Sequence, residues 1–116
     1  MHESAPMAAM PIRVYRLIKG PRPTREDFLS DNARGRTLRS DSPEIIARHE
    51  GFSAWRNEAS VRAVGSRYPR LGTQIVELEL PPGTELWPFH DNPDHVTVFG
   101  DADMLLQHVV RIAPLA

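Results

Sequence analysis

The sequence contains no cysteine, which excludes disulfide bonds and thiolate chemistry and is consistent with a reducing compartment. No apolar run approaches the roughly 18 residues that a membrane-spanning helix needs. The first ten residues lack both the basic region and the long apolar core of an export signal. We therefore expect a cytoplasmic protein that does not bind a membrane.

Lysine is almost absent as well, since 13 of the 14 basic residues are arginine and Lys19 is the exception. Residues 1–70 hold 13 basic and 8 acidic side chains, whereas residues 71–116 hold one basic and 7 acidic side chains. This asymmetry fits a basic face for an anionic ligand, and arginine pairs bidentately with phosphate and carboxylate groups. It equally fits two halves of the chain that pack together and neutralise each other.

The most regular stretch, residues 51–81, predicts a strand, a helix and a second strand. GFSAW forms the first strand, Asn57 caps the helix, and the TQIVELEL run alternates with period two. IRVYRLI near the start, HVTVFG and the closing HVVRIAP predict further strands. Helices are predicted over residues 24–35, after Ser42-Pro43-Glu44 and after Asp101.

These elements do not alternate strictly between strand and helix. We therefore predict one α+β domain over residues 11–116, with a mostly antiparallel sheet of about five strands and three or four short helices. Residues 1–10 show no period and are expected to form a flexible N-terminal tail.

Arg16 is the first candidate functional residue, because it shares an otherwise apolar strand face with Ile12, Val14 and Ile18. An arginine on such a face needs a partner, since an unpaired buried charge is costly. Two alternatives stay open at this point: an internal salt bridge with Glu77 or Glu79, or a contact with a ligand.

The hexapeptide from His90 to His95 is a second candidate site. His90, Asp91, Asp94 and His95 are side chains that can ligate a transition metal. Their spacing is not an established ligand pattern, and Asn-Pro within the segment is typical of a turn. Our prediction is therefore no metal, with these four residues as the alternative.

Other catalytic and nucleotide-binding patterns are weak or absent. Neither a P-loop nor a GxGxxG motif occurs, so standard mononucleotide and Rossmann sites are disfavoured. Ser53, His95 and either Asp101 or Asp103 supply the residue types of a nucleophilic triad, but no GxSxG elbow is present.

A nucleic-acid partner is not expected either. Arg62, Arg67 and Arg70 lie on or after one predicted helix, but no helix-turn-helix spacing surrounds them.

Taken together, VYRLI, GFSAW with its following helix and TQIVELELP, and HVTVFG resemble the ADP-ribosyltransferase-like fold, especially the compact bacterial RES-type NAD-consuming toxins. The resemblance implies that Arg16 contacts the phosphates or ribose of NAD and that Ser53 holds the nicotinamide ribose. It implies further that Trp55 or Tyr68 stacks on the nicotinamide ring. The acidic residue of the family matches Asp101 or Asp103 only approximately, since no clear glutamate motif follows HVTVFG.

The resemblance therefore predicts a protein that binds NAD or a related nucleotide, as an ADP-ribosyltransferase or NAD glycohydrolase of toxin type. The alternative is a non-catalytic interaction module, such as an antitoxin, an immunity protein or a partner subunit. The small size of the chain and the missing glutamate favour that alternative.

Overall fold

The computed structural model describes residues 11–38 and 40–116, so the tail expected at residues 1–10 lies outside the described part of the chain. The described residues form six strands: β1 (Ile12–Ile18), β2 (Phe52–Trp55), β3 (Gln74–Leu80), β4 (Leu86–Pro88), β5 (His95–Val98) and β6 (Val109–Pro114). Three α-helices accompany them: α1 (Pro43–Arg48), α2 (Glu58–Arg67) and α3 (Ala102–Gln107). Two short 3-10 helices cover Arg25–Phe28 and Pro69–Leu71.

All six strands form one antiparallel sheet in the order β4-β5-β2-β1-β3-β6. The predicted α+β class with a mostly antiparallel sheet is therefore confirmed. β4 is the strand that the sequence did not indicate, since it has three residues and ends at Pro88. A run that short shows no alternation, and proline is confined to strand edges and ends.

The centre of the sheet is unevenly paired. β1 and β3 pair along seven residues, from Ile12 with Leu80 to Ile18 with Gln74. β1 and β2, by contrast, share a single registered pair, Tyr15 with Trp55. The two strands therefore separate on either side of that pair.

Each face of the sheet has its own hydrophobic core, because side chains alternate between faces along a strand. The larger core lies under α3 and the first 3-10 helix, where Phe28, Ala102 and Leu105 pack on the strands. The smaller core lies under α2 and joins Val61 to strand residues of the opposite face. Its buried members are Leu17, Trp55, Val61 and Ile75.

A charge network on the α2 side joins the basic and acidic parts of the chain. Glu77 is buried, with 5% of its surface exposed, and its carboxylate accepts hydrogen bonds from Arg13 and from Arg111, the latter at 2.8 Å. Arg111 also pairs with Glu58 at the start of α2, and Arg13 pairs with Glu79. Neutralisation between the two halves, one of the two alternatives drawn from composition, thus takes place here.

The expected helix over residues 24–35 is largely wrong. The 3-10 helix Arg25–Phe28 begins as predicted, since the Asp27 carboxylate accepts a hydrogen bond from the Thr24 N–H at 2.8 Å. The N–H groups of Asp31 and Asn32 then donate to the carbonyls of Gly51 and His49, at 3.0 and 2.8 Å. These long-range bonds replace helical ones, so residues 30–36 form a turn, which we call the 30–36 turn.

Candidate functional site

A cleft of about 670 Å³ opens where β1 and β2 separate. Its lining comes from the end of β1, from β2, from the 30–36 turn and from the end of α2 with the 3-10 helix that follows. Arg16, Ser53, Trp55 and Tyr68 all line this one cleft. The structure therefore brings together the four residues to which the family resemblance assigns ligand binding.

Arg16 joins the two walls of the cleft. Its Nε donates to the carbonyl of Asp27 at 2.8 Å, and its Nη1 donates to the carbonyl of Ser53. The guanidinium carbon also lies 4.6 Å from the centre of the Phe52 ring. The internal salt bridge with Glu77 or Glu79 is not formed, because Arg13 and not Arg16 lies on the face of those carboxylates.

The environment of Arg16 lowers the pKa of its guanidinium, which stays charged at neutral pH. Burial, followed by the neighbouring charge of Arg34, lowers its pKa to about 10. Arg36 acts in the same direction, whereas Asp31 and Asp27 oppose it. Several guanidinium groups thus converge on this end of the cleft.

An aromatic stack forms a second wall. The imidazole of His95 lies between Trp55, at 4.8 Å between ring centres and 6° between planes, and Phe89, at 4.4 Å and 23°. The Arg48 guanidinium covers the far side of Phe89 at 4.1 Å and donates at 2.8 Å each to Thr97 Oγ1 and to the carbonyl of Trp87. Arg48 therefore continues the stack at its Phe89 end and ties it to β4 and β5.

His95 carries a buried polar atom that makes no hydrogen bond to the described residues. Its Nε2 is buried and has no hydrogen-bond partner among residues 11–38 and 40–116. Burial, opposed by Asp91 and reinforced by the charge of Arg48, lowers the pKa of His95 below its ordinary value of 6.5. Burial therefore favours the neutral form of this imidazole, which lies on the cleft wall.

The alternative metal site is not assembled. The Asp94 carboxylate accepts hydrogen bonds from Asn57 Nδ2 at 2.8 Å and Ser60 Oγ at 3.2 Å, while His95 stacks between aromatic rings and His90 is exposed. Within the part of the chain that the structure describes, no three His, Asp or Glu side chains are grouped to hold a metal ion. The carboxylate predicted as a ligand instead fixes the start of α2.

The acidic residues expected from the resemblance lie elsewhere. Asp101 caps α3, and its side chain accepts from the Asp103 N–H at 3.1 Å. Asp103 is exposed and pairs with Arg25 at 3.1 Å. Neither lines the cleft, so the structure does not bring the expected catalytic acid, or the third member of a triad, to Ser53 and His95.

Sequence reasoning missed a charged rim around the cleft. Asp27 and Asp31 are the carboxylates that line it, among the described residues. The basic side chains that line it are Arg16, Lys19, Arg34, Arg36 and Arg70. The lining therefore has a positive net charge. The basic excess of residues 1–70 indicated a basic face without locating it, and the local signal was the RGR sequence at residues 34–36.

The chain matches no protein-family model, no curated protein and no solved structure. None of the helices in the described ranges is both long and apolar enough to cross a membrane.

Proposed function

We propose that this protein binds NAD or a related nucleotide in the cleft between β1 and β2. We further propose that it acts on NAD as an ADP-ribosyltransferase or NAD glycohydrolase of toxin type. The observation that carries the proposal is the meeting of Arg16, Ser53, Trp55 and Tyr68 at one cleft, although they lie on different elements.

The chemistry of the lining supports a nucleotide. NAD has two phosphate groups, which a lining with a basic excess attracts, and two flat rings, which aromatic side chains bind by stacking. Both residues line the cleft, and Tyr68 is 44% exposed, whereas Trp55 is 9% exposed. We assign the accessible ring of Tyr68 to stacking, and Trp55 to the wall that positions His95.

The reaction breaks the bond between the ribose C1′ and the nicotinamide nitrogen, and the electron pair leaves with nicotinamide. Water or a nucleophile of a target molecule forms the new bond to C1′ and loses its proton to solvent. A carboxylate near the ribose stabilises the positive charge that develops there. We assign this role to Asp31. The Asp27 carboxylate accepts a hydrogen bond from the Thr24 N–H at 2.8 Å, whereas the Asp31 carboxylate has, among the described residues, only a long ion pair with Arg36, at 3.6 Å.

Incubation of the purified protein with NAD, followed by chromatography of released nicotinamide, tests this proposal. The Asp31→Asn variant should release nicotinamide about 100-fold more slowly, in line with loss of one electrostatic contact to a transition state. The matched control is Asp103→Asn, which changes an exposed aspartate outside the cleft and should stay within about twofold of the wild type. A wild type that neither releases nicotinamide nor gains thermal stability with NAD would contradict the proposal.

The alternative, a non-catalytic interaction module, has one observation in its favour. β6 is an edge strand, and its Val110 and Ile112 side chains are 53% and 44% exposed. Exposed apolar edges are typical of surfaces that pair with another chain. Co-purification of a second protein that Ile112→Lys abolishes, together with no response to NAD, would favour this alternative.

A further inference from the structure

We infer that the phosphate groups of the ligand bind Arg34 and Arg36 on the 30–36 turn, and that Arg16 is a positioning residue that holds the cleft walls. This inference rests on the proposed nucleotide function and reassigns the anion contact within that site. It makes the RGR segment, which had no predicted role, the phosphate subsite.

The hydrogen bonds of Arg16 argue against a direct phosphate contact as its main role. Its Nε and Nη1 are both engaged by backbone carbonyls, those of Asp27 and Ser53. Two of the directions in which a guanidinium binds a phosphate are therefore already taken. What Arg16 does is tie the first 3-10 helix to β2 across the gap in the sheet.

In contrast to Arg16, neither Arg34 nor Arg36 has its guanidinium bound to backbone carbonyls of the described residues. Both are exposed side chains that line the cleft. Arg34 makes no side-chain hydrogen bond or ion pair to the residues that the structure describes. Arg36 has one long ion pair, 3.6 Å from its Nε to Asp31 Oδ1. Their guanidinium groups are thus accessible to an anion, and two arginine forks match the two phosphates of a pyrophosphate.

The turn that carries them is fixed in place, which makes the pair a formed site. Besides the bonds to Gly51 and His49, its Arg36 carbonyl lies 2.9 Å from His49 Nε2, and the Arg36 N–H donates to the Asp31 carbonyl at 3.0 Å. Gly35 has φ +75°, a conformation that glycine adopts readily, and it separates the two arginines. A bound anion would also relieve the repulsion that Arg34 and Arg36 exert on Arg16.

Titration calorimetry with ADP-ribose and with inorganic pyrophosphate tests the inference. The Arg34→Gln/Arg36→Gln variant should bind both probes at least about tenfold more weakly and show a reduced dependence of affinity on salt. The control is Arg22→Gln/Arg56→Gln, which removes two exposed arginines that do not line the cleft and should stay within about twofold of the wild type. Arg16→Met, if it folds, should keep the wild-type salt dependence for pyrophosphate, since no anion contact is lost.

The outcomes separate the two proposals. Equal affinity of ADP-ribose for the wild type and for Arg34→Gln/Arg36→Gln would overturn the phosphate subsite and leave the nucleotide function standing. Wild-type binding of pyrophosphate that this variant loses, without binding of ADP-ribose or NAD, would support the subsite and overturn the nucleotide function. A wild type that binds none of these probes would overturn both.

Discussion

The side chain of Arg16 links β1 to β2 at a point where the two strands share no registered pair. Its strand separates from β2 beyond the pair of Tyr15 with Trp55, and its guanidinium then donates to the Ser53 carbonyl across the gap. A long, planar donor is suited to this, because it can bond two carbonyls that lie on different elements.

Replacing Arg16 by methionine should lower the free energy of unfolding by about 2–3 kcal/mol, because the carbonyls of Asp27 and Ser53 lose their donor. Methionine preserves part of the apolar stem, so the loss reports mainly on hydrogen bonding. Urea unfolding followed by circular dichroism measures the change. Arg22→Met, at an exposed arginine, should change stability by less than about 0.5 kcal/mol. Equal stability of the two variants would show that the Arg16 bonds contribute little.

His95 should make the stability of the protein depend on pH. Burial lowers its pKa in the folded protein below 6.5, so the unfolded chain takes up the proton first as the pH falls. The stability that the neutral His95 side chain contributes is present above about pH 6.5. It is lost as the pH falls toward the lower pKa of the folded state. Two charges face the imidazole: the carboxylate of Asp91 raises the pKa of His95, and the guanidinium of Arg48 lowers it.

The measurement is the free energy of unfolding between pH 5 and 7.5, from urea titrations at several pH values. Between those limits His95→Gln should show a shallower decline than the wild type, whereas His90→Gln, at an exposed histidine, should keep the wild-type slope. Parallel curves for the wild type and His95→Gln would refute this assignment.

At the scale of elements, α2 is the helix whose start is most fully specified. Asn57 Oδ1 accepts from the Ser60 N–H at 2.8 Å, which confirms the predicted cap. Asn57 Nδ2 donates in turn to the Asp94 carboxylate at 2.8 Å. The cap therefore also anchors the turn before β5, which places His95 in register with Trp55.

Asn57→Ala should cost about 1 kcal/mol of stability, the usual value of an N-cap. Asn57→Asp is the informative companion, because it preserves the cap acceptor but places a second carboxylate beside Asp94. We expect Asn57→Asp to be less stable than the wild type at low salt and to recover as the salt concentration rises, which thermal melts in sodium chloride would record. A salt-independent difference would rule out repulsion between the two carboxylates.

The sequence predicted the local parts of this fold well and the long-range parts poorly. The caps Asn57 and Asp101 and the strand β3 were readable, because their signals lie within a few neighbouring residues. The end of the helix at Phe28 was not readable, because it depends on hydrogen bonds from the 30–36 turn to His49 and Gly51. Tertiary bonds of that kind leave no local pattern.

The candidate site divides in the same way. Arg16 could be singled out because it is a charged residue on an apolar strand face, whereas Ser53 was indicated by the family resemblance. The position of Arg34 and Arg36 at the cleft could not be predicted, because it depends on the hydrogen bonds that hold the 30–36 turn against His49 and Gly51. Chain order places Asp101 and Asp103 after β5, as the resemblance requires, but the fold uses them at the start of α3 and away from the cleft.

At the scale of the whole molecule, Glu77 connects the two oppositely charged parts of the chain. It is 5% exposed and contacts Arg13 near the start and Arg111 near the end. Glu77→Gln should lower the melting temperature by several degrees, because two arginines lose their shared counter-charge while the packing volume is preserved. Differential scanning calorimetry measures this shift. Glu85→Gln, at an exposed glutamate, should leave the melting temperature nearly unchanged, and a shift equal to that of Glu77→Gln would contradict the role of the network.

The single backbone pair between β1 and β2 divides the sheet into two three-stranded halves, β4-β5-β2 and β1-β3-β6. The proposed ligand would lie between these halves and contact both of them, so its binding would link the two halves. Occupancy of the cleft should then slow the exchange of backbone amides on both halves together, as in one rigid body.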